Sequence, residues 1–265
     1  MSSSISDFFC VVLINKLQTQ TTMENFKEFD SQATTPEREV GSIISHALEI
    51  FKNTFLYCFL AVVIYFLLSF IIQMVTGFDS QLLVEEMTSG GHVDYADIIA
   101  APGFAAYTGA SFLVTLLLTP VLVSLIYVAN KSNFKQPIVV SDIFFAYKQN
   151  FVNIFIYALI TQIALTILLF MCILPAVFVM PFFFLGYPIL IFEKASAFDA
   201  LKKSFDIVQN NYGTILLTAL LAGLISIAGL VLCCVGIYLT IPFAYIAMYS
   251  TYCAYCGTPR QIDNN

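Results

Sequence analysis

The chain has 265 residues, 59% of them hydrophobic and only 11% charged. Soluble domains carry about 25% charged residues, so this composition excludes a soluble globular fold and points to an integral membrane protein. A formal net charge of −6 with no clustered basic tract argues against nucleic acid as a partner.

Residues 1–37 read as a cytoplasmic tail. The apolar run Phe8–Ile14 is too short to span a bilayer. No basic residue precedes it and no small-residue cleavage site follows, which argues against a signal peptide. Met23 opens a second plausible start, so residues 1–22 are either a disordered tail or an artefact of gene calling. Thr35-Pro36 reads as N-cap and first helical position. The amphipathic helix expected after it buries Val40, Ile43, Ile44, Ala47 and Leu48, and Lys52 closes it. A first span follows at Thr54–Thr76, whose 23 residues reach roughly 34 Å.

Residues 77–102 form an acidic loop with no lysine or arginine. Its carboxylates lack a calcium-loop pattern and read as a solvated surface. The second span is expected at 103–130. A second amphipathic helix starts at Ser141, with Val140, Phe144, Tyr147 and Phe151 as its apolar line. From Gln149 to Phe192 no residue is charged, twice what one span needs. Pro175 and Pro181 mark a hairpin turn, giving spans at 153–174 and 176–192. The stretch AFDALKKSFDIVQNNYGTILLTALLAG (197–223) then carries the plainest device of the chain. Phe198, Leu201, Phe205 and Val208 line one side of a helix, and Lys202, Lys203, Asp206 and Gln209 the other. At Asn210-Asn211 polarity stops. A surface helix thus feeds directly into a span at 213–233, and a sixth follows at 236–256. Residues 38–257 are one membrane domain and 258–265 a short tail.

Pro120, Pro181 and Pro242 are spaced 61 and 61, as are Asn150 with Asn211 and Phe144 with Phe205. The first unit fits with Asn53 in the place of Asn150, once about 36 extra residues are allowed before Pro120. Fixed-period self-similarity of this kind points to three repeats. The expected fold is all-α: six transmembrane helices as three repeats, each preceded by an inner-leaflet amphipathic helix. All 11 lysines and arginines then fall on one side, which puts both termini in the cytoplasm.

No lysine, arginine, aspartate, glutamate or histidine lies within a drawn span, which argues against ion-coupled transport. Gln73, Asn153 and Gln162 are the polar candidates inside, either as cross-helix bonds or as the lining of a solute cavity. Ala219, Gly223 and Ser226 give the fifth span small-residue faces, and that helix reads as a central packing element with a route to self-association. Cys253 and Cys256 have metal spacing, with Cys58 at similar depth as a third thiolate. Plain packing is the simpler reading, and neither a metal nor a cofactor is expected. Cys172 could pair with Cys233 or Cys234 near the outer face. His46 sits on the polar face of the first amphipathic helix and His92 in the outer loop, so the two histidines cannot share a site.

The segment AFDALKKSFDIVQNNYGTILL, a cysteine- and glycine-marked turn and Ile241-Pro242-Phe243 together resemble a family of bacterial six-span membrane proteins. That family includes the membrane domain ahead of some glycerophosphodiester phosphodiesterases, and stand-alone relatives. The resemblance covers residues 38–257 and implies a bacterial inner-membrane location. It does not carry over phosphodiesterase activity, because no stretch here could hold that catalytic barrel. Some relatives bear the label of a carotene oxygenase, whose iron needs several histidines, and this chain has 2. The function expected is non-enzymatic: lipid interaction, or a scaffold for another membrane protein. The alternative is a facilitator for an uncharged or lipidic solute.

Overall fold

The computed structural model describes residues 33–76, 102–171, 173–229 and 240–259. These residues form helices and connecting turns, with no strand among them. The α-helices are α1 (Val40–Thr76), α2 (Phe104–Asn133), α3 (Phe145–Lys148), α4 (Phe151–Met171), α5 (Ile173–Val179), α6 (Gly186–Phe192), α7 (Ala197–Asn210), α8 (Tyr212–Ala228) and α9 (Phe243–Cys256). Four segments are long and apolar enough to cross a membrane: α1, α2, residues 151–168 and residues 174–192. A fifth is reached if the bent pair α7–α8 counts as one. The chain is therefore built as a multi-pass membrane protein.

The first expected amphipathic helix and the first span are a single 37-residue helix. Ile43, Ala47, Ile50, Thr54, Cys58 and Ala61 are buried at steps of three or four. This stripe runs past the exposed Asn53 without changing face, so nothing demands a break there. The helix also starts later than Thr35-Pro36. Its first turn closes on the Glu39 carbonyl, while residues 33–37 are non-helical and held by Asn133.

The second expected amphipathic helix is not a long helix either. It is a 3-10 turn over Val140–Phe144 running into the single turn of α3. Asp142, Ile143, Phe145 and Ala146 face inward, and Val140 and Phe144, on the apolar line of the sequence, are exposed. The reason is Asp142: its carboxylate accepts from Lys131 Nζ at 2.7 Å and from the Val139 amide at 2.9 Å, which fixes the turn with that side in.

Of the two prolines expected at the turn, one differs. Pro175 sits at the junction of segments 151–168 and 174–192, in the first turn of α5, where its missing N–H costs nothing. Pro181 makes no hairpin; it interrupts one apolar segment with a 3-10 turn over Met180–Phe183. The carbonyls around this break are taken up by hydroxyls from three helices. Tyr157 donates to Phe183 (3.0 Å), Ser204 to Phe182 (2.6 Å) and Tyr212 to Phe178 (2.9 Å). A break inside an apolar environment needs such partners. Pro120 lies within α2 without ending it.

The core sits behind the three prolines. Residues 123–130 of α2, 184–191 around α6 and most of α9 are buried. The helix α8, expected at the centre, is peripheral: Leu217, Leu221, Leu224 and Ile227 are exposed. Only α7 matches the expected surface helix. Ser196 caps it by accepting from the Asp199 amide, and α8 leaves it at 108°.

Candidate functional site

A cavity of about 300 Å³ opens between α1, α2, α4, α6 and α9. Its polar lining comes from Tyr65, Thr115 and Thr119 of α1 and α2, and from Thr161, Gln162, Tyr187 and Tyr245 of α4, α6 and α9. The remaining wall is aliphatic, from Val62, Leu122, Ala158, Leu165 and Met248 among others. No charged side chain lines it.

The two groups differ in how their hydroxyls are used. Thr119 donates to the Thr115 carbonyl one turn back (2.8 Å), and the Tyr65 and Thr115 hydroxyls lie 3.4 Å apart. The Thr161 hydroxyl is fully buried and has no hydrogen-bond partner. The Tyr157 and Tyr187 phenols stand close to that hydroxyl without a bond of normal geometry to it. The Tyr187 ring packs edge-on against Tyr157, with centroids 5.0 Å apart. The cavity thus pairs an apolar wall with a cluster of groups that can each donate and accept.

Of the polar residues singled out in the sequence, Gln162 alone reaches this cavity. Gln73 is half-buried in the last turn of α1 and is not part of the lining. Asn153 serves a clamp at the start of α4. Its Nδ2 donates to the Asn150 carboxamide and its Oδ1 accepts from the Ala197 amide. Asn150, with φ at 58°, donates to the Leu190 and Ala195 carbonyls. Asparagine tolerates that left-handed backbone better than most residues. Thr161, Tyr187 and Tyr245 were not singled out. Thr161 stands beside Gln162 in an uncharged span, and that polar pair is the one sequence signal that could have found it.

His46 faces inward, not outward, within a closed polar network at one end of the bundle. Thr34 donates its amide and hydroxyl to Asn133 Oδ1, and Asn133 Nδ2 donates to the Thr34 carbonyl and the Tyr249 hydroxyl. Tyr249 donates to Asn130 Oδ1. The Thr34 proton is committed, so His46 Nε2 must be the donor to Thr34 Oγ1 at 3.1 Å. In the neutral ring Nδ1 then accepts from Ser250 at 2.9 Å. Every member is satisfied, which makes this a structural tie for the segment ahead of α1. Arg38, at the same end, donates to the Ala254 carbonyl and lies over the Tyr255 ring.

The cysteines Cys58, Cys253 and Cys256 are free thiols, and among the described residues no three ligating groups come together for a metal. Cys172, Cys233, Cys234, His92 and the acidic loop lie outside the described residues. On α8, Ala219 and Ser226 are buried as small packing residues. Gly223 does not pack, since a Cβ there meets nothing within 4 Å; Ala222, fully buried, takes that role.

Comparison of the chain with protein-family models, with characterised proteins and with solved structures finds no match.

Proposed function

We propose that this chain is a non-enzymatic, lipid-interacting or scaffold-type protein of the bacterial inner membrane, with six spans, both termini cytoplasmic, and α7 lying in the inner leaflet. The carrying observation is the three-sided character of α7 at its 108° corner with α8. Ala197, Ala200, Ser204 and Val208 pack against the bundle. Phe198 and Phe205 are 69% and 46% exposed. Lys202, Lys203, Asp206 and Gln209 take the third side, also exposed. A helix with one face on protein, one aromatic and one charged fits the boundary between headgroups and acyl chains. Val139, Val140 and Phe144 add exposed apolar surface beside Lys135 and Lys148.

Three repeats are part of this proposal. Ala61, Ala158 and Ala219 fall at matching places in the three units and all are buried. The residues that follow Pro120, Pro181 and Pro242 form the core alike. Six spans result if α9 is completed by residues ahead of it. Membership of the six-span family that the sequence resembles is proposed on the same grounds.

The absence of tryptophan supplies the test. Single F198W and Q209W variants are placed in bilayers of shallow- or deep-brominated lipid. The proposal expects F198W to emit in the blue and to be quenched most by shallow bromines, with Q209W red-shifted and weakly quenched. Red-shifted, unquenched emission from F198W would refute the in-plane helix. Mass spectrometry of native nanodiscs then separates the two types: an enriched lipid marks lipid interaction, and a stoichiometric protein marks a scaffold.

A further inference from the structure

We infer that the cavity between α1, α2, α4, α6 and α9 is a binding site for a neutral amphiphile with a hydroxyl head, an aliphatic alcohol by chemical class. The inference rests on the membrane reading above, and the F198W depth measurement tests that reading separately.

Three observations select the ligand. The first is the wall. With no charged side chain in the lining, an ionised head would sit without a counter-ion in an apolar surround, so the ligand is uncharged. The second is the polar cluster. The buried Thr161 hydroxyl has no partner, although nearly all buried polar atoms in folded proteins have one. Gln162, Tyr187 and Tyr245 join it in the lining of the cavity. Each of these groups both donates and accepts, so a head that does both, as an alcohol does, matches them better than a pure acceptor. The third is the rest of the lining. Val62, Leu122, Leu165 and Met248 offer an aliphatic surface to a tail. A volume of about 300 Å³ lies at the small end of the range for ligand pockets. A sugar would need polar groups on all sides, and half the lining is aliphatic.

The sealing of other hydroxyls sharpens the point. Thr54, Thr119, Thr166, Thr218, Ser226 and Thr251 each donate to a carbonyl one turn back on their own helix. Thr161 lies on a helix as well and does not. Its hydroxyl makes no bond to its own backbone and stands near the Tyr157 and Tyr187 phenols instead.

The probe is decanol carrying a diazirine, used on the full chain in nanodiscs, with labelled peptides mapped by mass spectrometry. The expected result is saturable labelling of the peptide holding Thr161 and Gln162, displaced by decanol but not by decane or decanoate. Thr161→Val removes the hydroxyl while keeping the shape, and should weaken displacement by roughly three- to tenfold, the worth of about one hydrogen bond. Thr161→Ser should restore most of it. Ala158→Phe fills the cavity and should abolish labelling, with monodispersity on size exclusion as the folding control. Thr161→Val remains informative should Ala158→Phe fail to fold. Labelling spread over lipid-facing helices that no competitor displaces would overturn the site. Equal displacement by decane or decanoate would overturn the alcohol head.

Discussion

Gly186→Ala adds one methyl group where the structure leaves no room for it. A Cβ at that position would stand 2.0 Å from the Tyr157 hydroxyl oxygen and 2.1 Å from the ring carbon that bears it. Ordinary carbon contacts begin at about 3.5 Å, so the ring must retreat by more than about 1 Å. It has nowhere to go. Tyr157 is fully buried, and Phe183 and Tyr187 stand edge-on against it at 6.4 and 5.0 Å between centroids. Retreat also withdraws its hydroxyl from the Phe183 carbonyl, beside the Pro181 break. Overpacking costs about 1–3 kcal/mol, and an orphaned buried carbonyl about 1–3 kcal/mol. Alanine's advantage over glycine within a helix, about 1 kcal/mol, opposes these. The expected net loss is about 2–4 kcal/mol, read as a shifted midpoint when the protein is unfolded in mixed micelles by added dodecyl sulfate. Tyr157→Ala alone should also destabilise, but with Gly186→Ala the two should be strongly non-additive, because the truncated ring leaves room for the methyl. A neutral Gly186→Ala, or strict additivity with Tyr157→Ala, would refute the packing described at this point.

Three further outcomes are expected from the same unfolding assay and its variants. Asp142→Ala leaves Lys131, whose side chain is only 13% exposed, without its 2.7 Å partner; a loss of about 3 kcal/mol is expected, and Lys131→Met with Asp142→Leu should recover most of it. Gly223→Leu should change stability by less than about 0.5 kcal/mol, since the site is open; a larger loss, concentration-dependent, would show that this face packs on a second copy. Asn133→Ala removes the partner of Thr34 and of Tyr249; proteolysis within residues 33–39 should accelerate several-fold while the bundle stays folded, and unchanged cleavage would refute the tie.

The parts of the fold legible in the sequence are those set by composition and by strong local periodicity. Charge scarcity gave the membrane class, and the break at Asn210-Asn211 gave the corner between α7 and α8. What escaped depends on partners distant in sequence. Whether α1 breaks at Asn53 is decided by the face its neighbours bury, and Lys52 and Asn53 look the same on a continuing helix as on an ending one. His46 read as surface because it is polar. Ser250, 204 residues away, makes it interior. Val140 and Phe144 form an apolar line in the sequence and are exposed; hydropathy did not show that Asp142 turns its own side inward, because in a bilayer apolar side chains face outward as readily as inward.

The same solvent logic governs the polar residues. In an apolar surround a freed carbonyl must find a donor within the protein, so hydroxyls in spans are first of all backbone partners. Tyr157, Ser204 and Tyr212, from three different helices, close the gap that Pro181 opens, and all three are explained by that geometry. Counting polar residues in spans therefore overestimates candidate sites, and Asn153, bound into its clamp, is an instance. The informative residue is the one left over once backbone demand is met. Thr161 is that residue: buried, on the wall of a cavity, beside Gln162, and without the carbonyl that its counterparts on other helices use. The cavity earns attention through that leftover hydroxyl more than through its volume, because a purely apolar void of the same size would need no occupant.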